Sequence, residues 1–151
     1  MDKSRVNLGS AAPAAYKAMN ELDRIVSEFA TAAGIAEGVA HLLRLRASQL
    51  NQCAFCVRMH ARDALTSGET SDRVSVLAAW RETEYFTAKE RAALALIEAV
   101  TLIAKDQVPD AIYAEAAAAL TNEEIAAVEW IGVAINSWNR IAIAGRSLVK
   151  P

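Results

Sequence analysis

The sequence predicts an all-α protein, and three observations carry that reading. Proline occurs only at positions 13, 109 and 151, so long stretches keep every backbone donor that a helix requires. The six glycines fall mostly between periodic segments, where they end helices rather than interrupt them. Inside those segments apolar residues recur every three or four positions, and no run alternates with the period of a strand.

The elements follow in chain order. A first amphipathic helix is expected from about Ala14 to Ala30, with Tyr16, Met19, Leu22, Ile25, Val26 and Phe29 on one stripe. Gly34 separates it from a second helix over about Ile35 to Leu50, which buries Ile35, Val39, Leu42, Leu43 and Ala47 and carries His41 near its middle. Asn51 is the expected cap of a third helix, about Gln52 to Ser67, closed by Gly68. Val74 to Trp80 reads as a shorter helix. Thr87 with Glu90 forms a capping box that opens a helix running to about Ile103, and Pro109 suits the first turn of another short one. Thr121 with Glu124 is a second capping box, opening a last helix with Ile125, Val128, Ile131, Ile135 and Trp138 inward. Alanine-rich stretches such as that from Ala114 to Ala119 add helix propensity.

Length and composition narrow the function classes. At 151 residues the chain fits one domain spanning its whole length, long enough to build a core without staples. Hydrophobic residues make up 54% and charged residues 23%, ordinary globular usage. The 16 basic residues are scattered and the net charge is −2, so no nucleic-acid footprint is visible. No apolar leader follows Met1-Asp2-Lys3-Ser4-Arg5 and no run is long enough for a membrane span, so a soluble cytoplasmic protein is expected.

The chemistry concentrates in the third helix. Cys53, Cys56, Val57, His60, Ala61 and Ala64 fall on its core-facing stripe. Both cysteines sit in the first turn, where unpaired backbone donors and the helix dipole favour thiolate. The two-residue spacing lets a sulfenic acid on one sulfur be captured by the other as a disulfide. His60, four residues after Cys56, shares its face and can exchange a proton with the sulfur or a bound peroxide. Two other readings stay open on residue type alone: small buried hydrophobes, and a zinc site of Cys53, Cys56, His60 and a fourth ligand such as His41.

The segment from Leu45 through Asn51-Gln52-Cys53-Ala54-Phe55-Cys56 to Met59-His60 closely resembles the carboxymuconolactone decarboxylase family, nearest to its alkylhydroperoxidase AhpD-like branch. The likeness continues through Ala79-Trp80-Arg81-Glu82-Thr83 and Glu90 to Ala95, and ends in Ala134 to Arg140. The resemblance implies an AhpD-like helical bundle assembled as a trimer or hexamer, with the site near a subunit interface. It implies that Cys56 attacks the peroxide, that Cys53 resolves it as a disulfide, and that His60 relays protons. The family's relay glutamate position holds His41 here, a departure; Glu37, one turn earlier, is a weaker substitute. Decarboxylation belongs to members without the cysteine pair.

The expected function is therefore thiol-dependent reduction of alkyl hydroperoxides. No Gly-rich flavin or nicotinamide fingerprint is present, so no bound cofactor is expected and electrons come from an external dithiol or a lipoyl-type reductant. The alternatives are a redox sensor or disulfide-exchange protein with little turnover, and the zinc-binding structural protein. Asn136, Trp138, Arg140, Trp80 and Arg81 read as groups that tie helices or subunits together.

Overall fold

The computed structural model describes residues 5–151, so most of the Met1 to Arg5 segment, where no leader was expected, lies outside the described residues. Among the described residues every regular element is helical. They are α1 (Leu8–Ala11), α2 (Pro13–Ala32), α3 (Glu37–Leu50), α4 (Ala54–Thr66), α5 (Ser71–Val76), a 3-10 helix (Leu77–Glu82), α6 (Ala88–Thr101), α7 (Ile103–Asp106), α8 (Asp110–Ala119) and α9 (Asn122–Ala144). No described helix is long and apolar enough to cross a membrane.

Local chemistry accounts for most boundaries. Pro13 opens α2 at its first position, where a missing donor costs nothing. Gly34 and Gly68 turn the chain after α2 and α4 with φ of 96° and 97°, a region that a side chain disfavours. Both capping boxes form: Thr87 accepts from the Glu90 amide and Thr121 from the Glu124 amide, while each glutamate returns to its cap residue's own amide.

Other boundaries move from their expected places. Asn51 does not cap the third helix. Gln52 turns left-handed at φ 57° and Cys53 takes the cap instead, so α4 starts at Ala54. The expected Val74 to Trp80 helix divides at Val76, and the following 3-10 turn kinks at Ala79. Leu102 leaves helical geometry and ends α6 at Thr101. Pro109 is the residue before α8 rather than inside its first turn.

Helix α3 is the centre of the bundle, packed against α4, α6, α9 and the 3-10 turn. It buries Leu42, Leu43, Leu45 and Ala47, but also Arg44 and Ser48, because neighbours surround it. Leu77, Leu94, Leu96, Ile97, Val128, Ile131 and Ile135 complete the core. On peripheral α2 only Val26 of the predicted stripe is buried, with Ala30 beside it; Tyr16, Ile25 and Phe29 remain exposed.

Two buried polar systems fix α3 in place. Asn51 donates to Asn136 Oδ1 and Asn139 Oδ1, both at 2.9 Å, and fully buried Asn139 donates to Ser48 Oγ at 3.0 Å. This ladder joins the end of α3 to α9 and holds the chain just before Cys53, whose amide bonds Ser48 O. On another side, Glu98 of α6 accepts from Arg46 Nε at 2.7 Å, Trp80 Nε1 at 2.9 Å and Arg81 at 2.6 Å. Burial opposes ionisation of that carboxyl, yet the three donors outweigh it and hold it below the usual carboxylate range. Trp80, Arg81 and Asn136 thus tie elements together as expected, and Trp138 packs edge-on against Tyr16 of α2.

Candidate active site

The cysteine pair is built by the turn that replaces an ordinary cap. With Gln52 left-handed, Cys53 enters α4 in extended geometry (φ −86°, ψ 92°) and its sulfur accepts from the Cys56 amide at 3.4 Å. Cys53 and Cys56 are joined as a disulfide, and each is only 2% exposed. The sequence expectation that both sulfurs start the helix and face inward is met. Buried sulfurs shielded from bulk solvent react only with what enters beside them.

Two cavities reach the pair from different sides. One of about 370 Å³ is lined by Cys56 and His60 together with Tyr16, Phe55, Met59 and Trp138. The other, about 210 Å³, touches Cys53, Gln52 and Phe55 and is closed by the C-terminal residues Ile143, Leu148 and Val149. Cys56, and not Cys53, therefore shares a cavity with the histidine.

His60 is 6% exposed, one helical turn beyond Cys56 on the same stripe. Its Nδ1 lies 3.3 Å from Nδ1 of His41, which α3 brings in from the opposite side. At most one proton fits between two such nitrogens, so one ring donates and the other accepts. Burial, then the Arg44 guanidinium and then His41, push His60 down to about 3 from 6.5. Burial and then Arg44 also lower His41. Both rings are neutral near pH 7, the form that passes protons along a hydrogen bond. His41 faces a third cavity of about 660 Å³ lined by Asp23, Glu37, Arg44, His60 and Asp63. A hydrogen-bonded pair of imidazoles thus joins the Cys56 cavity to an acidic, open one. Glu37 lines that outer cavity as an exposed residue.

Arg44 is the part that reading the sequence missed. Only 4% exposed, it donates to Ser27 Oγ at 2.8 Å and lies 3.8 Å from Asp23 Oδ1. A charge in the midst of an apolar run on α3 was the available signal, and Asp23 and Ser27, four apart on α2, were its complement. Asp63 was missed as well; it stands at i+3 from His60 with Oδ2 3.9 Å from the His60 Nδ1. The zinc set of Cys53, Cys56, His60 and His41 is not what the fold gathers: the sulfurs are bonded to each other. The metal-ligand side chains that do converge are His41, His60 and Asp63.

A bundle of helices with a helix-capping CxxC disulfide and a histidine one turn on defines an AhpD-like protein with a redox-capable thiol pair. The chain belongs to the carboxymuconolactone decarboxylase family, whose sequence pattern matches residues 13–99. It is 37% identical over 140 residues to the uncharacterized protein YdfG of Bacillus subtilis, spanning 93% of this chain and 92% of that one. It is also 37% identical to ATU0492 of Agrobacterium tumefaciens, a protein of unknown function described as a candidate antioxidant defence protein AhpD. That crystal structure superposes with a TM-score of 0.89 over 99% of both chains.

Proposed function

We propose that the protein is a thiol peroxidase that reduces hydroperoxides at Cys56 and is regenerated by an external dithiol. The observation that carries this reading is the shared cavity: Cys56 and His60 line one space, backed by the His41 imidazole. The Cys56 thiolate attacks the terminal peroxide oxygen, the O–O bond breaks, and the leaving alkoxide takes a proton from His60. Cys56 becomes a sulfenic acid and an alcohol departs. The Cys53 thiol then displaces hydroxide, which leaves as water, and the observed disulfide results. A dithiol or lipoyl-type reductant transfers two electrons and two protons to restore both thiols while it closes its own disulfide. His41 reprotonates His60 from the outer cavity, the place a relay glutamate holds in relatives of this kind.

The apolar lining of Tyr16, Phe55, Met59 and Trp138 suits an organic rather than an inorganic peroxide. Homo-oligomeric assembly belongs to the same reading, with exposed Ile25, Phe29, Trp130 and Val133 as apolar surface to cover.

One observation favours the disulfide-exchange alternative. The Cys56 amide donates to Cys53 Sγ and so stabilises a thiolate at Cys53, the better leaving group in exchange. Steady-state consumption of a small organic hydroperoxide with a dithiol reductant decides between them. The peroxidase reading expects turnover in wild type, none in Cys56→Ser, and a single turnover ending in a trappable sulfenic acid in Cys53→Ser. Rapid disulfide exchange without peroxide consumption in wild type would establish the alternative.

A further inference from the structure

We propose that His41 Nδ1, His60 Nδ1 and a carboxylate oxygen of Asp63 form a binding site for one divalent transition-metal ion of the zinc class, separate from the cysteine sulfurs. The three ligand atoms lie within 4.8 Å of one another. The two nitrogens are 3.3 Å apart. Ligands about 2.0–2.1 Å from a tetrahedral metal are separated by roughly 3.3–3.4 Å, so the spacing of the two nitrogens matches that of two imidazoles on one ion.

Asp63 Oδ2 stands 3.9 Å from His60 Nδ1, about half an ångström beyond that edge. Its side chain is 45% exposed, and a change of its rotamer is what would close the gap. His60 and Asp63 come from one face of α4 and His41 from α3, so the ion would clamp two helices already packed together. The fourth position opens on the 660 Å³ cavity, from which water completes the shell.

Coordination breaks no covalent framework. The proton between the two rings moves from Nδ1 to Nε2 of its own imidazole, and the metal takes its place. Two imidazoles and one carboxylate suit zinc, nickel, cobalt or iron and not calcium or magnesium, whose shells are built of oxygen. The charged groups facing the site are Arg44, which repels the ion, against Asp23, Glu37 and Asp63, which attract it; Glu28 also lines the cavity but is paired with Arg24. The balance favours a cation.

The test uses the oxidised protein, in which the disulfide removes both thiolates as ligands. Metal-free protein is titrated with Co²⁺, followed by its visible absorption, and then displaced with Zn²⁺. The expected result is one ion per chain. His41→Gln and Asp63→Asn each weaken binding roughly tenfold or more, while the Cys53→Ser/Cys56→Ser protein binds as wild type. Asp63 is half-exposed and makes no described side-chain hydrogen bond, so its variant keeps the fold where a histidine variant could lose it. Absence of saturable binding, binding indifferent to Asp63→Asn, or binding lost in the cysteine variant would overturn the site. No peroxide enters the assay, so its outcome is independent of the thiol peroxidase reading.

Discussion

Arg44 and Arg46 lie two residues apart on α3, about 200° around the helix, and the contrast between them explains how this bundle separates stability from chemistry. Arg46 meets a buried carboxylate, Glu98, that Trp80 and Arg81 also hold. Charge is matched by charge, and the result is a lock between α3, α6 and the 3-10 turn. Arg44 meets the neutral hydroxyl of Ser27, with Asp23 only at 3.8 Å. Its charge is under-compensated and acts instead on the two imidazoles beside it, adding to the burial that already holds them unprotonated. The same side chain is a brace on one face and an electrostatic setting on the other. What differs is what the neighbouring helix offers.

The largest effect that would break this comparison is at Glu98. Glu98→Ala leaves the Arg46 guanidinium buried without a counter-charge, and a loss of about 3–5 kcal/mol of unfolding free energy is expected. Denaturant titration measures it. The paired substitution Arg46→Met/Glu98→Met is expected to regain the part of that loss that comes from the Arg46 charge, since apolar groups of similar volume replace a buried ion pair at little cost, but not the part from the Trp80 and Arg81 hydrogen bonds. An equal loss in both proteins would show that the hydrogen bonds Glu98 accepts from Trp80 and Arg81, and not the Arg46 charge, carry the effect.

The histidine side is probed by pH. A histidine whose pKa is lower folded than unfolded contributes stability that is complete above 6.5 and is lost as pH falls from 6.5 toward the folded value of about 3. For His60 that slope is at most about 1.4 kcal/mol per pH unit. Glu98, Glu90 and Glu124 are held below 4.5 when folded, so their contributions are lost only below that value. The interval between 6.5 and 4.5 therefore reports the histidines. Unfolding free energy of metal-free wild type is expected to fall there, and that of His60→Gln to fall less steeply. Parallel slopes would remove His60 from the account.

Arg44→Met sharpens the comparison further. Removing the guanidinium takes away the second-largest cause of the His60 shift, so the imidazole pKa is expected to move upward, read by NMR titration of metal-free protein. The smallest effect is at Ser27→Ala, which deletes one hydrogen bond to Arg44 and is expected to cost about 1–3 kcal/mol, the upper end if the guanidinium finds no other acceptor. In Arg44→Met the same Ser27→Ala change should cost much less, because the two residues then no longer interact.

Much of this architecture was legible from local chemistry. The capping boxes at Thr87 and Thr121, the helix stops at Gly34 and Gly68, and the inward face of Cys53, Cys56 and His60 each depend on residues within one or two turns. Asn51 shows where such reasoning fails. By residue type it is a good cap, yet its amide is used 85 and 88 residues away, on Asn136 and Asn139, and Cys53 caps in its place. On α3 the stripe model fails for a related reason, because a helix surrounded by neighbours buries polar residues on faces that periodicity assigns to solvent.

The sequence by itself determined the helices, their principal ends and the redox-capable pair, because hydrogen bonds within a turn and the reach of a two-residue spacing are set by neighbours in the chain. Only the tertiary structure decided that His41 stands 3.3 Å from His60, that burial and then Arg44 suppress the His60 charge while Arg46 locks Glu98, and that Asp63 lies beside the two imidazoles. Those relations join residues of different helices, and their energies depend on burial and on charges that no local spacing encodes.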